Sequence, residues 1–203
     1  MDGCGFAEAY RRRRLQALEW RNSLGVEHRL LLSLGFALLT ALAAQVRVYT
    51  PLTPVPFTLQ VMTVLMAGAL LGRYYGGVSM LIYLALGAFG LQVFAGWRGG
   101  AEVIAGATGG YLIGFVLAAF AIGWIVDGTA WGRSSSGILL AMLAGVLLIY
   151  LTAFFSLVFA LGWPPTQAFA LGVAPFIGVD IAKALAAAGV SRAVLPGVGR
   201  ASG

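Results

Sequence analysis

Asp180 and Lys183 stand three residues apart inside the otherwise apolar segment GVAPFIGVDIAKALAAAGV at 172–190. An unpaired charge at bilayer depth costs about 2.5–3.5 kcal/mol on insertion scales, so a segment carrying two of them needs an explanation. At that spacing the two side chains share one helix face. Pro175 suits a first helical turn, where its missing N–H has no intrahelical partner and its φ is already helical. A rise of 1.5 Å per residue then puts Asp180 about 7 Å and Lys183 about 12 Å in from that end, just below one membrane surface. Two readings follow. The pair neutralises itself against neighbouring helices, or it forms a polar ligand site that offers one acceptor and one donor. Intramembrane ionisable groups mark function by default, which favours the second.

The elements that must position this pair are apolar spans. Of the 203 residues, 60% are hydrophobic and only 10% charged, and the mean hydropathy is +0.92. This composition is that of a polytopic membrane protein. Six stretches have about the length needed to cross a bilayer: 30–48, 57–72, 74–91, 107–126, 137–161 and 173–190. The expected fold is therefore all-α, with six transmembrane helices in one membrane domain over 30–190. A basic tail (1–29) precedes it and a short tail (191–203) follows. Ala41-Leu42-Ala43 has the small-x-small form of a signal-peptide cleavage site, but the run before it is long and five spans follow, so the first span reads as a retained helix.

The net charge of +6 argues for topology rather than for nucleic acid. With the N-terminus in the cytoplasm, Arg11 to Arg14, Arg21, Arg29, Arg73, Arg133, Arg192 and Arg200 all fall inside, which is 10 of the 13 basic residues. Both termini are then cytoplasmic, and Arg47, Arg98 and Lys183 belong to the outer half. The tail joins RRRR to Phe6, Tyr10, Leu15, Leu18 and Trp20, a composition open to a surface-bound amphipathic helix or to disorder. Cys4 is the only cysteine, which excludes a disulfide within the chain.

Three further stretches carry polar or shaping residues. Ala37-x-x-x-Ala41 in the first span sets small residues one turn apart, which permits close approach of another helix. Pro51, Pro54 and Pro56 enforce an extended, semi-rigid path over 49–57, suited to a cap over a cavity mouth, and Gln60 follows about one helical turn later. Between 91 and 111, glycines free the backbone to fold back, Phe94, Trp97 and Tyr111 offer flat apolar surface, and Arg98 offers a bidentate anion donor. An aromatic interface belt is the alternative reading of that stretch. The fifth span reads as apolar apart from Thr152 and Ser156.

Chemistry that is missing narrows the function. There is no GxxxxGK[ST] loop, and GATGG at 106–110 lacks the lysine, so the chain has no ATP motor of that type. His28, the only histidine, lies at the inner edge, which leaves neither a histidine-based dyad nor a His-rich metal site near the outer pair. Asp127 and Asp180 lie on opposite sides, against an intramembrane aspartyl protease. No catalytic residue, metal or cofactor is expected.

Taken together, PVPFTLQ at 54–60, LGAFGLQVFAGWRGG at 86–100, GATGGYLIGF at 106–115 and PFIGVDIAKALAA at 175–187 resemble the BioY family, the biotin-specific S components of energy-coupling-factor (ECF) vitamin transporters. The resemblance spans roughly 32–190. It implies six helices with the ligand site near the outer face, the first outer loop as its lid, and Asp180, Lys183, Arg98, Tyr111, Trp97, Phe94 and Gln60 around biotin. It also implies docking through Ala37 and Ala41 on a transmembrane coupling protein, with two cytosolic ATPases consuming the ATP. The arginine-rich tail lies outside the resemblance, and Arg47 matches no feature of it. An S component for another vitamin, and a small intramembrane enzyme or channel, are the rival readings.

Overall fold

The computed structural model describes residues 21, 23–129 and 131–195. The expectations for the RRRR tail, for Cys4 and for Arg200 lie outside the described residues.

Helix α1 (Val26–Gln45) leads into an antiparallel hairpin of β1 (Arg47–Thr50) and β2 (Thr53–Thr58). Then come α2 (Gln60–Ala88), the short α3 (Ala101–Ile104), α4 (Gly109–Gly128), α5 (Ser135–Phe155) with a π-helical turn to Ala160, α6 (Pro165–Gly172), a 3-10 turn (Ala174–Phe176) and α7 (Ile177–Val194). Five helical stretches are long and apolar enough to cross a membrane, with α6 and α7 forming the fifth.

Six passes result because α2 folds back on itself. A straight helix of 29 residues would be about 43 Å long, more than a hydrocarbon core of about 30 Å requires. Gly72 interrupts it with φ +82° and ψ −166°, a backbone region open essentially to glycine alone. The halves then lie side by side: a Cβ on Gly76 would come 2.7 Å from the Gly68 Cα, and Gln60 Nε2 donates to Tyr83 Oη at 2.7 Å. Partners nearly equidistant from Gly72 are what a helical hairpin demands. The expected spans 57–72 and 74–91 correspond to its two arms.

The doubled α2 forms the centre of the bundle, with α4, α1 and α7 packed against it and α5 beyond α4. Leu65, Met80, Ile122, Met142 and Ile149 are fully buried between them. Leu31, Leu42, Leu147 and Phe159 remain more than half exposed. Outward apolar side chains of this kind suit a lipid surround, where they cost nothing.

Two boundary expectations shift. Ser33, Ala37, Thr40 and Ala44 form the buried face of α1, and Ala37 is completely inaccessible. Ala41 is half-buried and packs on the same core. Ala37 therefore packs inside the chain, while α1 turns Leu31, Leu38 and Leu42 outward. At the other end, α7 starts at Ile177, with Pro175 in the preceding 3-10 turn, and continues to Val194 with Ser191 and Leu195 buried. The helix thus extends past the expected limit at 190.

Candidate ligand-binding site

Helix α7 begins right at the site, so Asp180 falls in its first turn, where the helix dipole favours a carboxylate. Lys183 Nζ lies 2.7 Å from Asp180 Oδ1, and the two residues are only 9% and 2% exposed. The other carboxylate oxygen, Oδ2, accepts from Tyr150 Oη at 2.8 Å. The sequence reading missed Phe176, which lines the cavity, and Tyr150, which bonds Asp180 from a span judged only by its small hydroxyl residues. The signal for Tyr150 was present: a buried tyrosine needs a partner for its hydroxyl, and Asp180 is an available acceptor.

Asp180 and Lys183 neutralise each other, and they also form one wall of a cavity enclosing about 120 Å³. At roughly 30 Å³ per water, that is room for about four water molecules. From the hairpin, Pro54, Val55, Pro56 and Thr58 cover it, while Tyr49 stands at its edge, 59% exposed. Phe57 fixes the hairpin to the start of α7 by packing on Phe176, with ring centroids 4.5 Å apart. Pro51 sits in the turn beyond the strands and does not line the cavity. The cap expected over 49–57 is thus a β-hairpin with a bulge, registered Val48 on Phe57 and Thr50 on Thr53.

Gln60 lines the cavity with its amide largely engaged: Oε1 accepts from Thr58 Oγ1 at 3.0 Å, and Nε2 donates to Tyr83, leaving one amide proton. Tyr111 lines it too, but its hydroxyl donates to the Gly172 carbonyl, so it presents its ring, which meets Phe176 edge-on at 6.2 Å. Phe94 packs edge-on against Tyr83 at 5.5 Å and over Gly87, where any Cβ would collide with the ring.

The loop from Phe94 to Arg98 shows why one expected residue is displaced. Phe94 N–H donates to the Arg98 carbonyl at 2.9 Å, closing a tight turn in which Gly96 has φ +85° and Trp97 φ +55°. Gln45 clamps this turn from α1, with Nε2 donating to the Phe94 carbonyl at 3.1 Å and Oε1 accepting from the Trp97 N–H at 3.1 Å. Reversing the chain within four residues sends Phe94 inward and leaves Trp97 60% exposed, off the cavity wall. Trp97, expected beside a ligand, therefore stands outside the lining of this cavity. Arg98 does line the cavity, at its exposed rim. Arg47 now has a place: its guanidinium donates to Gln45 Oε1 at 3.3 Å and lies 5.5 Å from the centre of the Tyr49 ring.

The arrangement is a largely aromatic and aliphatic chamber with a paired acceptor and donor on one wall, an amide on another and a guanidinium at the rim. It can hold a small molecule that has a compact polar head and an anionic tail. Among the described residues no group of three or more His, Cys, Asp and Glu stands ready for a metal.

Fold and chamber together define a membrane-embedded small-molecule-binding protein. The chain belongs to the BioY family, whose model matches residues 16–200. It is similar to the biotin transporter BioY of Thermotoga maritima, 42% identical over 141 residues covering 68% of this chain and 79% of that protein. It is also similar to the biotin transporter BioY of Rhizobium etli, 35% identical over 174 residues covering 82% and 92%. Among solved structures, the S-component for biotin from an ECF-type ABC transporter matches with a TM-score of 0.75 and 28% identity over 84% of this chain and 93% of that one.

Proposed function

We propose that this chain is the biotin-capturing S component of an ECF transporter, a multi-pass protein of the cell membrane and not an enzyme. The family and the similar S component support the class. The observation that carries the ligand is the Asp180–Lys183 pair buried on the wall of an otherwise apolar chamber. Biotin has a ureido ring with two N–H donors and one carbonyl, a thioether ring and a carboxylated aliphatic tail. Each oxygen of Asp180 already accepts one proton and keeps a lone pair for a ureido N–H. Lys183 gives one of its three protons to Asp180 and retains others for the ureido carbonyl. The rings of Phe94, Tyr111 and Phe176 suit the apolar body, and Arg98 at the rim suits the carboxylate.

In this reading Pro54 and Pro56 belong to a lid formed by the hairpin, with Pro51 at its tip. The charge bias puts both termini in the cytoplasm and the chamber near the outer face. A transmembrane coupling protein and two cytosolic ATPases supply the energy, and the chain itself binds no ATP. Titrating the purified full chain with biotin by calorimetry tests the proposal. A tight one-to-one complex is expected, with no comparable heat from other vitamins. A stronger response to a different vitamin assigns the chamber to that ligand.

A further inference from the structure

Gln60 and Tyr83 meet across the two arms of α2, and their contact decides which end of the Gln60 amide faces the chamber. The two ends of an amide have nearly the same size, so its orientation follows from its partners. The Tyr83 hydroxyl touches two groups, Gln60 Nε2 at 2.7 Å and the Val93 carbonyl at 3.2 Å. A carbonyl only accepts, so the single phenolic proton goes to Val93 and the Tyr83 oxygen accepts from Gln60. Turning the amide over would set Gln60 Oε1 against that oxygen, with one proton left to serve two acceptors. Thr58 tolerates either end, since its hydroxyl can give a proton to Oε1, as it does at 3.0 Å, or accept one from Nε2. Tyr83 therefore sets the polarity, and at 1% exposure it has no bulk water to replace either partner. The second proton of Nε2 has no acceptor among the described residues, and Gln60 lines the same chamber as Asp180 and Lys183.

We propose that Tyr83 is a positioning residue for the ligand: it holds Gln60 as a fixed hydrogen-bond donor, which a carbonyl on the bound molecule accepts. Tyr83 itself stands outside the chamber lining and acts through Gln60. The inference rests on the biotin reading, in which the carbonyl is the ureido oxygen, with one lone pair for Lys183 and one for Gln60. A molecule presenting an N–H at that point would set donor against donor, so the fixed amide also discriminates between ligands.

The test is a double-mutant cycle on the full chain in detergent, with biotin affinity read by calorimetry and the thermal midpoint alongside. Tyr83→Phe keeps the ring against Phe94 and removes only the hydroxyl, and affinity is expected to fall about fivefold. Gln60→Leu should lower it about tenfold, and adding Tyr83→Phe to Gln60→Leu should lower it no further. Gln60→Glu, of the same shape but without the N–H, should bind more weakly than Gln60→Leu, because it sets an acceptor against the ligand's carbonyl. A tyrosine that only packs the bundle would lose the same factor in both backgrounds, and that result overturns the proposal. So does parental affinity in Tyr83→Phe or in Gln60→Glu. A parent chain that takes up no biotin sinks the ligand assignment and this inference with it, whereas tight binding by the parent with an additive cycle rejects this inference alone.

Discussion

Asp180 and Lys183 hold each other in a place water barely reaches, so removing either charge acts on stability and on binding together. Asp180→Asn leaves an uncompensated ammonium in the core, which costs about 3–5 kcal/mol of stability. It also removes charged acceptors from the chamber, and biotin affinity is expected to fall about 100-fold on calorimetric titration. The double variant Asp180→Asn/Lys183→Met separates the two effects: its thermal midpoint should recover while biotin binding stays lost. Recovered binding in that variant would take the pair out of the ligand site. Tyr150→Phe is gentler, since it keeps the ring and deletes only the donor to Asp180 Oδ2. About tenfold weaker biotin binding is expected, because the freed oxygen is no longer held in one orientation.

At the scale of elements, two devices set the chamber's shape. The reversal at Gly72 makes one long apolar run into two passes, and a Cβ there would lie 2.2 Å from Asp127 Oδ2 besides occupying a glycine-only conformation. Gly72→Ala should therefore lower the thermal midpoint through a strain of about 1–3 kcal/mol, and disrupt the Arg21–Asp127 pair as well. The hairpin over the chamber is fixed chiefly by Phe57 on Phe176. Phe57→Ala is expected to speed biotin dissociation by up to about tenfold in stopped-flow measurements, with little change in association. Unchanged dissociation would show that the hairpin does not retain the ligand. These elements were only partly legible beforehand: the prolines implied an extended cap, but the Phe57–Phe176 contact joins groups more than a hundred residues apart.

For the whole molecule, binding and energy use belong to different subunits in the proposed assembly. In proteoliposomes, ATP added to this chain alone should change neither biotin binding nor uptake, and ATP-driven uptake should appear only with the ATPase subunits present. Hydrophobic span lengths and the placement of Asp180, Lys183 and Gln60 were readable from the chain, because desolvation costs are so large in a bilayer that apolar runs and buried charges announce themselves. The motifs over 54–60, 86–100, 106–115 and 175–187 likewise pointed to the family that the residue match established. Direction was what the sequence could not contain. Whether Ala37 faces a partner or its own core, whether Trp97 points into the chamber or away, and that Tyr150 reaches Asp180 were decided by packing. Each depends on how helices rotate against neighbours distant in the chain, and on a turn only four residues long, so residue type and spacing leave the outcome open until the bundle is assembled.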